Sequence, residues 1–381
     1  MPTSFARPQP DHEKEKLLRA CFLTLPEIGS GRLRQILEIW GSAAAAKTRA
    51  PAAAAKLPSG WLRDFARQCG AAAPEKMAAI LAREGIGLVT PEEDEYPPLL
   101  KECPDAPPLL FYKGSLKGGQ EGIAVVGARQ ATHYGKSAAA RLAGEIAAAG
   151  FVIVSGLARG IDSAAHEGTL KAGGITWAFM AGGLERVYPE NNRGLAAGIT
   201  AGGGALLSEF PPGSPWLPQR FPLRNRLISG VSRAVVVVEA GEKSGSLITA
   251  DFALEQGRDV FAVPGPIFSP VSLGTHSLLR SGALLATAGA DVVGEYRSPA
   301  VVARSGQAPA AAAAAKQASG SPPSSAQKEI LACLSDLPLH VDELRRRCRQ
   351  SASEIALSLL ELELGGKIHS LPGQHFVLNR G

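Results

Sequence analysis

The stretch Ile123-Ala-Val-Val-Gly127-Ala-Arg129 decides the fold, read together with Phe151-Val-Ile-Val-Ser155-Gly156-Leu-Ala-Arg159-Gly160. Each is a short, β-branched, apolar run that opens into small and basic residues and then into a helix-like stretch. Residues 121–297 repeat this pattern. Runs that are apolar at every position predict strands buried on both faces, hence a mostly parallel sheet with helices between the strands. In such sheets ligands lie outside the carboxyl ends of the strands, where these Gly, Ser and Arg residues cluster. The expectation is a doubly wound, extended Rossmann-like α/β core that holds an anionic, phosphate-bearing ligand.

The 381 residues are enough for two or three domains. Net charge is +5, and residues 121–297 balance 15 basic against 14 acidic groups, so a nucleic-acid site must be a local patch. The five cysteines, Cys21, Cys69, Cys103, Cys333 and Cys348, are scattered without CxxC spacing. That favours a reducing compartment over a disulfide framework or a zinc site. No signal core opens the chain and no uncharged run approaches a membrane span, so a cytoplasmic protein without membrane contact is expected.

Outward from the core, residues 1–12 read as a disordered tail and residues 13–80 as a small helical domain. Within the latter, Leu25-Pro-Glu-Ile-Gly29-Ser-Gly31 resembles the turn of a helix-hairpin-helix, whose amides suit a DNA phosphate. Packing or protein contact is the alternative reading. Residues 81–297 form the core, and 298–327, rich in Ala, Pro, Ser and Gly, a flexible linker. Residues 328–381 show three helical periods, a strand, a Pro372-Gly373 turn and a second strand, the pattern of a winged helix. Its third helix carries Glu354, Glu361 and Glu363 and no basic residue; the basic cluster is Arg345–Arg347 with Arg349. Phosphate affinity needs cations on the docking face, so this domain reads as a protein-contact module rather than a sequence reader.

The loops after the strands carry the chemistry. The dinucleotide fingerprint is absent: Gly127-Ala-Arg129 has its next glycine only at Gly135, and no acidic residue follows the second strand. Arg129 reads as a phosphate clamp at a helix start. Asp162 and His166 stand four apart; an acid-base pair and a helix cap with a packed histidine are the two readings. Gly182 and Gly183 permit close backbone approach, and Tyr188 offers a stacking face or a core aromatic. In Arg220-Phe-Pro-Leu-Arg224-Asn225-Arg226, three guanidinium groups within seven residues suit successive phosphates, and Phe221 suits a base. Arg224 and Arg226 cannot share one helical face. Lys243-Ser-Gly245-Ser246 enters a helix as a further anion seat, and the Walker pattern is missing.

These residues, in order, resemble the DNA-processing protein A (DprA, or Smf) family. The resemblance rests on Val126-Gly-Ala-Arg129, Ser155-Gly156 with Gly160-Ile-Asp162 and Ala165-His166, Gly182-Gly183 with Tyr188-Pro189, Phe221 to Gly230, Gly245 to Thr249 and Val263-Pro-Gly265. It extends to a winged helix in the tail and a sterile-alpha-motif-like helical domain at 13–80. The resemblance implies a core that binds single-stranded DNA without catalysis or cofactor, homodimerises, and delivers RecA recombinase during natural transformation. It places the strand at Arg129, Ser155-Gly156, Phe221, Arg224 to Arg226 and Gly245-Ser246. Where members carry further basic residues before the Phe-Pro pair, this chain has Trp216-Leu-Pro-Gln-Arg220, leaving Arg220 as the candidate. The full set expected to meet nucleic acid is Gly127, Arg129, Ser155, Gly156, Arg159, Gly160, Gly182, Gly183, Tyr188, Arg220, Phe221, Arg224, Asn225, Arg226, Lys243, Gly245 and Ser246. Two rival expectations are a nucleotide-processing enzyme using Asp162, His166 or Glu209, and a duplex-DNA regulator acting through the winged helix.

Overall fold

The structure is a computed structural model that describes residues 10–297, 324–335, 338–348, 350–371 and 373–378. Contacts divide the chain into two compact units, Met1–Gly306 and Gln307–Gly381.

The first unit begins with five helices: α1 Pro10–Leu23, α2 Ser30–Trp40, α3 Ala43–Ala53, α4 Gly60–Gln68 and α5 Pro74–Glu84. Helix α1 starts inside the stretch expected as a tail. Pro10 suits a first helical turn, and Asp11 and Glu13 complement the helix dipole there. Residues 1–9 lie outside the described residues. The five helices enclose Leu18, Phe22, Leu33, Ile36, Phe65 and Leu81, and this cluster runs on into Leu109, Phe111, Met180 and Leu206 of the sheet side. The helical segment therefore shares its core with the α/β layer. Burying Phe22 against Phe65, edge to face at 4.9 Å, is worth roughly 1.5–3 kcal/mol per ring.

The strands are β1 Gly87–Val89, β2 Leu110–Gly114, β3 Gly122–Val126, β4 Val152–Ser155, β5 Thr176–Phe179, β6 Ala205–Ser208, β7 Ser232–Val237, β8 Asp259–Ala262 and β9 Leu284–Leu285. They make one sheet in the order β1-β2-β6-β5-β4-β3-β7-β8-β9. Every neighbour pair from β6 to β9 is parallel, and β1 and β2 add an antiparallel edge. Strands β3 to β6 are buried at every residue, which is why they read as unbroken apolar runs.

A short helix, α6 Pro98–Lys101, precedes β2. The crossovers follow: α7 His133–Ala148, α8 Ile161–Lys171, α9 Arg193–Ala201, α10 Arg220–Gly230, α11 Gly245–Glu255, α12 Leu273–Arg280 and α13 Gly289–Val293. Side chains alternate across the sheet with period two. Ile123, Val125 and Ile153 pack with Leu142 and Ile146 of α7 and Ala165 of α8. Ala124, Val126 and Val154 pack with Leu227 and Ile228 of α10 and Ala250 of α11. The order reverses at β3, with β4 on one side and β7 on the other, and this switch point opens the crevice where such folds bind ligands.

The second unit holds α14 Ser325–Cys333, β10 Leu339–His340, α15 Val341–Arg347, α16 Ala352–Leu364, β11 Ile368–Leu371 and β12 His375–Leu378, the strands paired in the order β10-β12-β11. This is the winged helix. Its first helix starts within the stretch expected as linker, because Ser324 and Gln327 form a capping box. The rest of that stretch, residues 298–323, lies outside the described residues, as do Arg349 and Pro372. Two of the cysteines that are distant in sequence meet here: the Cys333 and Cys348 thiols are 3.8 Å apart.

Candidate nucleic-acid interface

The carboxyl ends of β3 and β7 flank a cavity of about 630 Å³. Of the expected residues, Gly127, Arg129, Phe221, Arg224, Asn225, Lys243, Gly245 and Ser246 line it. The loop Gly127–Gln130 is held open by the backbone: Ala128 donates to Glu239 O at 2.7 Å, and Ile161 donates to Ala128 O at 3.2 Å. A Cβ on Gly127 would fall 2.7 Å from Ile161 and 2.8 Å from Glu239 O, so only glycine lets α8 and the β7 end close beneath the loop. Gly160 serves the same packing. It has φ +84°, and its Cβ would lie 2.3 Å from Ala128 O.

Arg224 forms the floor. It is 4 % exposed, and its Nη1 donates to Gly156 O and Phe179 O, both at 2.6 Å. Gly156 is glycine to admit it, since a Cβ there would sit 1.9 Å from that nitrogen. Asn225 accepts from Arg224 Nε at 3.2 Å and donates to Gly245 O at 3.1 Å, latching α10 to the loop before α11. Asp162 accepts from Gly156 N and Ala158 N at 3.2 and 3.3 Å. Burial pushes the Asp162 carboxyl up and holds the Arg224 guanidinium down to about 10, each partly offset by the other's charge. Nη2 of Arg224 makes no hydrogen bond among the described residues, and the residue faces the cavity.

The mouth carries the free charge. Arg129, Lys243 and, outside the cavity lining, Arg159 are exposed and make no ion pair or hydrogen bond among the described residues. Arg129 lies over the Phe221 ring at 5.0 Å, so a cation and an aromatic face stand together at the rim.

Several expectations are corrected here. Ser155 is fully buried and donates to Val125 O at 2.7 Å, out of the cavity. The amides at helix starts are largely taken by the chain itself. Glu239 accepts from Thr132 N and Oγ1 at 2.9 and 2.5 Å at the start of α7, beside Arg129. Ser244 caps α11, accepting from Ser246 N at 3.4 Å. Side-chain cations, rather than bare amides, therefore supply the positive field. Nor do the three arginines of α10 converge. Phe221, Arg224, Asn225 and Ile228 face the crevice, while Arg220, Leu223 and Arg226 face a second cavity of about 660 Å³, as positions on opposite sides of a helix must.

That second cavity is internally neutralised. Arg226 donates to Glu209 Oε2 at 2.6 Å and lies 3.2 Å from Asp105. Ser30, in the glycine-rich bend, donates to the same Glu209 oxygen at 2.6 Å. The seat offered to a DNA phosphate by that bend thus faces the protein's own carboxylate. Burial raises the Glu209 carboxyl, with Arg226 and Ser30 drawing it back. Arg220 lies 4.4 Å over Phe210 and donates to Pro215 O.

Tyr188 stacks on Trp216 and leans on Phe221, outside the crevice lining. Gly182 and Gly183 do not reach the crevice; a Gly182 Cβ would press on Trp216 at 2.9 Å. No local motif marks Trp216 in the sequence; its place comes from Tyr188, on which it stacks. The candidate catalytic groups do not meet. His166 is fully buried, 2.7 Å from Thr176 Oγ1, and burial with the Arg224 charge lowers it to about 3, so it is neutral at physiological pH. Asp162 spends an oxygen on backbone amides, and Glu209 lines the other cavity.

On the winged helix, Arg345, Arg346 and Arg347 pair with Asp342 and Glu343 of their own helix. Helix α16 shows Leu357, Leu360 and Leu364 to solvent. Among the described residues no helix is long and apolar enough to cross a membrane.

Comparison with known proteins agrees with this architecture. A profile of the family DNA recombination-mediator protein A matches residues 87–297, and one of the DprA winged helix domain matches 301–374. The chain is 40 % identical over 299 residues to Protein Smf of Escherichia coli K12, covering 77 % of this chain and 78 % of that protein. It is 45 % identical over 210 residues to the DNA processing protein DprA of Bacillus subtilis, covering 55 % and 70 %. The X-ray structure of DprA from Streptococcus pneumoniae superposes with a TM-score of 0.63 at 35 % identity, covering 74 % of this chain and 98 % of that one.

Proposed function

The chain belongs to the DNA recombination-mediator protein A (DprA/Smf) family, and from that premise we propose that it is a cytosolic single-stranded DNA-binding protein that hands DNA to RecA recombinase during natural transformation or recombination. A role in DNA processing and recombination mediation comes with the family; the finer reading rests on the crevice. One observation carries it. Arg129 and Lys243, both exposed and unpaired among the described residues, flank a cavity whose floor is the Arg224 guanidinium and whose rim is Phe221. Cations at the mouth suit a phosphate backbone, and the ring suits a base of any sequence. A duplex, with its bases inward, would use the cations but not the ring.

Gly127, Asn225, Gly245 and Ser246 shape this seat, and Arg159 extends its charge. We assign Ser155, Gly156, Gly160 and Arg226 to building the seat and the core rather than to touching DNA. Binding without catalysis is favoured because His166, Asp162 and Glu209 are each committed elsewhere. A homodimer is supported by the edge strand β9, whose Leu284 and Leu285 are 41 % and 53 % exposed, and by the exposed apolar side chains of Ile267 and Phe268. The winged helix fits a protein contact through its leucine face.

Fluorescence anisotropy with a labelled oligothymidylate tests the reading. Arg129→Glu with Lys243→Glu breaks no internal ion pair or hydrogen bond among the described residues, only the stacking of Arg129 on Phe221, and is expected to abolish binding while the far-ultraviolet circular dichroism stays unchanged. Undiminished affinity refutes it.

A further inference from the structure

A file of flat groups leads away from the crevice. The Arg129 guanidinium lies 5.0 Å above Phe221, the Tyr188 ring lies 5.9 Å from Phe221, and Trp216 stacks on Tyr188 at 5.7 Å with 25° between planes. Tyr188 is 47 % exposed, so its ring spends much of its surface on solvent although two aromatic neighbours orient it. The loop that carries Trp216 is positioned for this. Gly183 N donates to Ser214 O at 3.2 Å, and Gly182 lacks the Cβ that would press on the indole. Beyond Trp216, Ser214 and Pro215 form the wall of the second cavity, where Arg220 sits.

We propose that Tyr188 and Trp216 form a stacking relay for bases of the single strand that leaves the crevice at Phe221, so that the strand crosses the surface from Arg129 toward Arg220. The proposal rests on the crevice being the strand's seat and adds its path. The rings lie too close together to admit a base between them. Bases therefore lie across the outward faces, which are sequence-tolerant because every base has a π-face. Tyr188, half-exposed, and Trp216, partly buried against the core, brace each other and so lose little side-chain freedom on binding, which favours such contacts. The Arg220 guanidinium at the far end is the cation available to a trailing phosphate.

The test compares wild type, Tyr188→Leu and Trp216→Leu in the full chain, by anisotropy, on three probes. These are an oligothymidylate short enough to fill only the crevice, a longer one, and the longer one with abasic residues outside the crevice. On the longer oligothymidylate each variant is expected to lose roughly ten- to a hundredfold in affinity, the size of one stacked base removed by substitution. On the short and abasic probes the variants are expected to match wild type, and Tyr188→Phe is expected to retain affinity on all three. Equal loss on all probes would mean the rings only hold the loop, and no loss on any would mean no contact; either overturns the relay. Wild-type protein that binds none of the probes overturns the crevice reading and the relay with it. Wild-type binding indifferent to both rings overturns the relay alone.

Discussion

Replacing Arg226 by Met separates a building role from a binding role within one helix. In the native chain its guanidinium donates to Glu209 at 2.6 Å and lies 3.2 Å from Asp105. Glu209 is 5 % exposed, and its other oxygen, Oε1, has no hydrogen-bond partner among the described residues. Arg226→Met keeps much of the stem's volume and leaves that carboxylate buried with Ser30 alone. Removing one partner of a buried pair costs about 3–5 kcal/mol. The pH dependence follows from the raised Glu209 carboxyl. A carboxyl raised by folding lends stability below its unfolded pKa, near 4.3, and that contribution is lost as pH rises through the folded value. Losing Arg226 raises the folded value further, so the penalty should be smaller near pH 5 than near pH 8. Glu209→Gln in the same chain should recover part of it. Urea unfolding followed by tryptophan fluorescence reads this directly, because Trp40, Trp61, Trp177 and Trp216 all lie in the first unit. The folded variant should bind oligothymidylate as wild type does, since Arg226 faces away from the crevice. An unmoved urea midpoint together with lost affinity would refute this and make Arg226 a DNA contact.

Gly156→Ala should drive the Arg224 guanidinium off its two carbonyls, costing about 2–4 kcal/mol in urea unfolding and most of the affinity; a variant as stable as wild type would show that the floor is built otherwise. Lys243→Ala should lower the slope of log affinity against log salt by about 0.7, the share of one single-strand phosphate, and an unchanged slope would exclude that contact. His166, lowered to about 3, is a base depressed by folding, so its stabilisation is full above about pH 6.5 and is lost as pH falls toward the folded value. Nuclear magnetic resonance titration should find its ring neutral at pH 5, and protonation near 6.5 would contradict that. Removing residues 307–381 should leave single-strand affinity intact; its disappearance would move the site to the winged helix.

The sheet was legible because strands buried on both faces need apolar side chains at every position, and Ile123–Val126 and Val152–Val154 supply them. The cavity's position followed from topology, since glycine, serine and arginine gathered where strand order reverses. Which arginine does what was not legible, because a run of residues does not say what waits across the fold. Arg226 meets Glu209, seventeen residues earlier in sequence, and Arg224 meets Gly156, sixty-eight residues away. Gly156, expected to meet the strand, is a hole for a guanidinium. The helix starts looked like open anion seats, and Glu239 and Ser244 occupy two of them. Helical phase, once α10 is known to begin at Arg220, sorts its residues onto two cavities. Trp216 carried no local signal, since its meaning comes from Tyr188, twenty-eight residues earlier, and from the bare Gly182.

Photo-crosslinking locates the strand most directly. Oligothymidylate carrying a photoreactive thymine is bound to the full chain, irradiated and mapped by peptide mass spectrometry. Crosslinks are expected in 126–130, 221–228 and 243–249, the three segments that enclose the crevice. Adducts confined to 341–378, or to the bend at 25–31, would contradict the assignment.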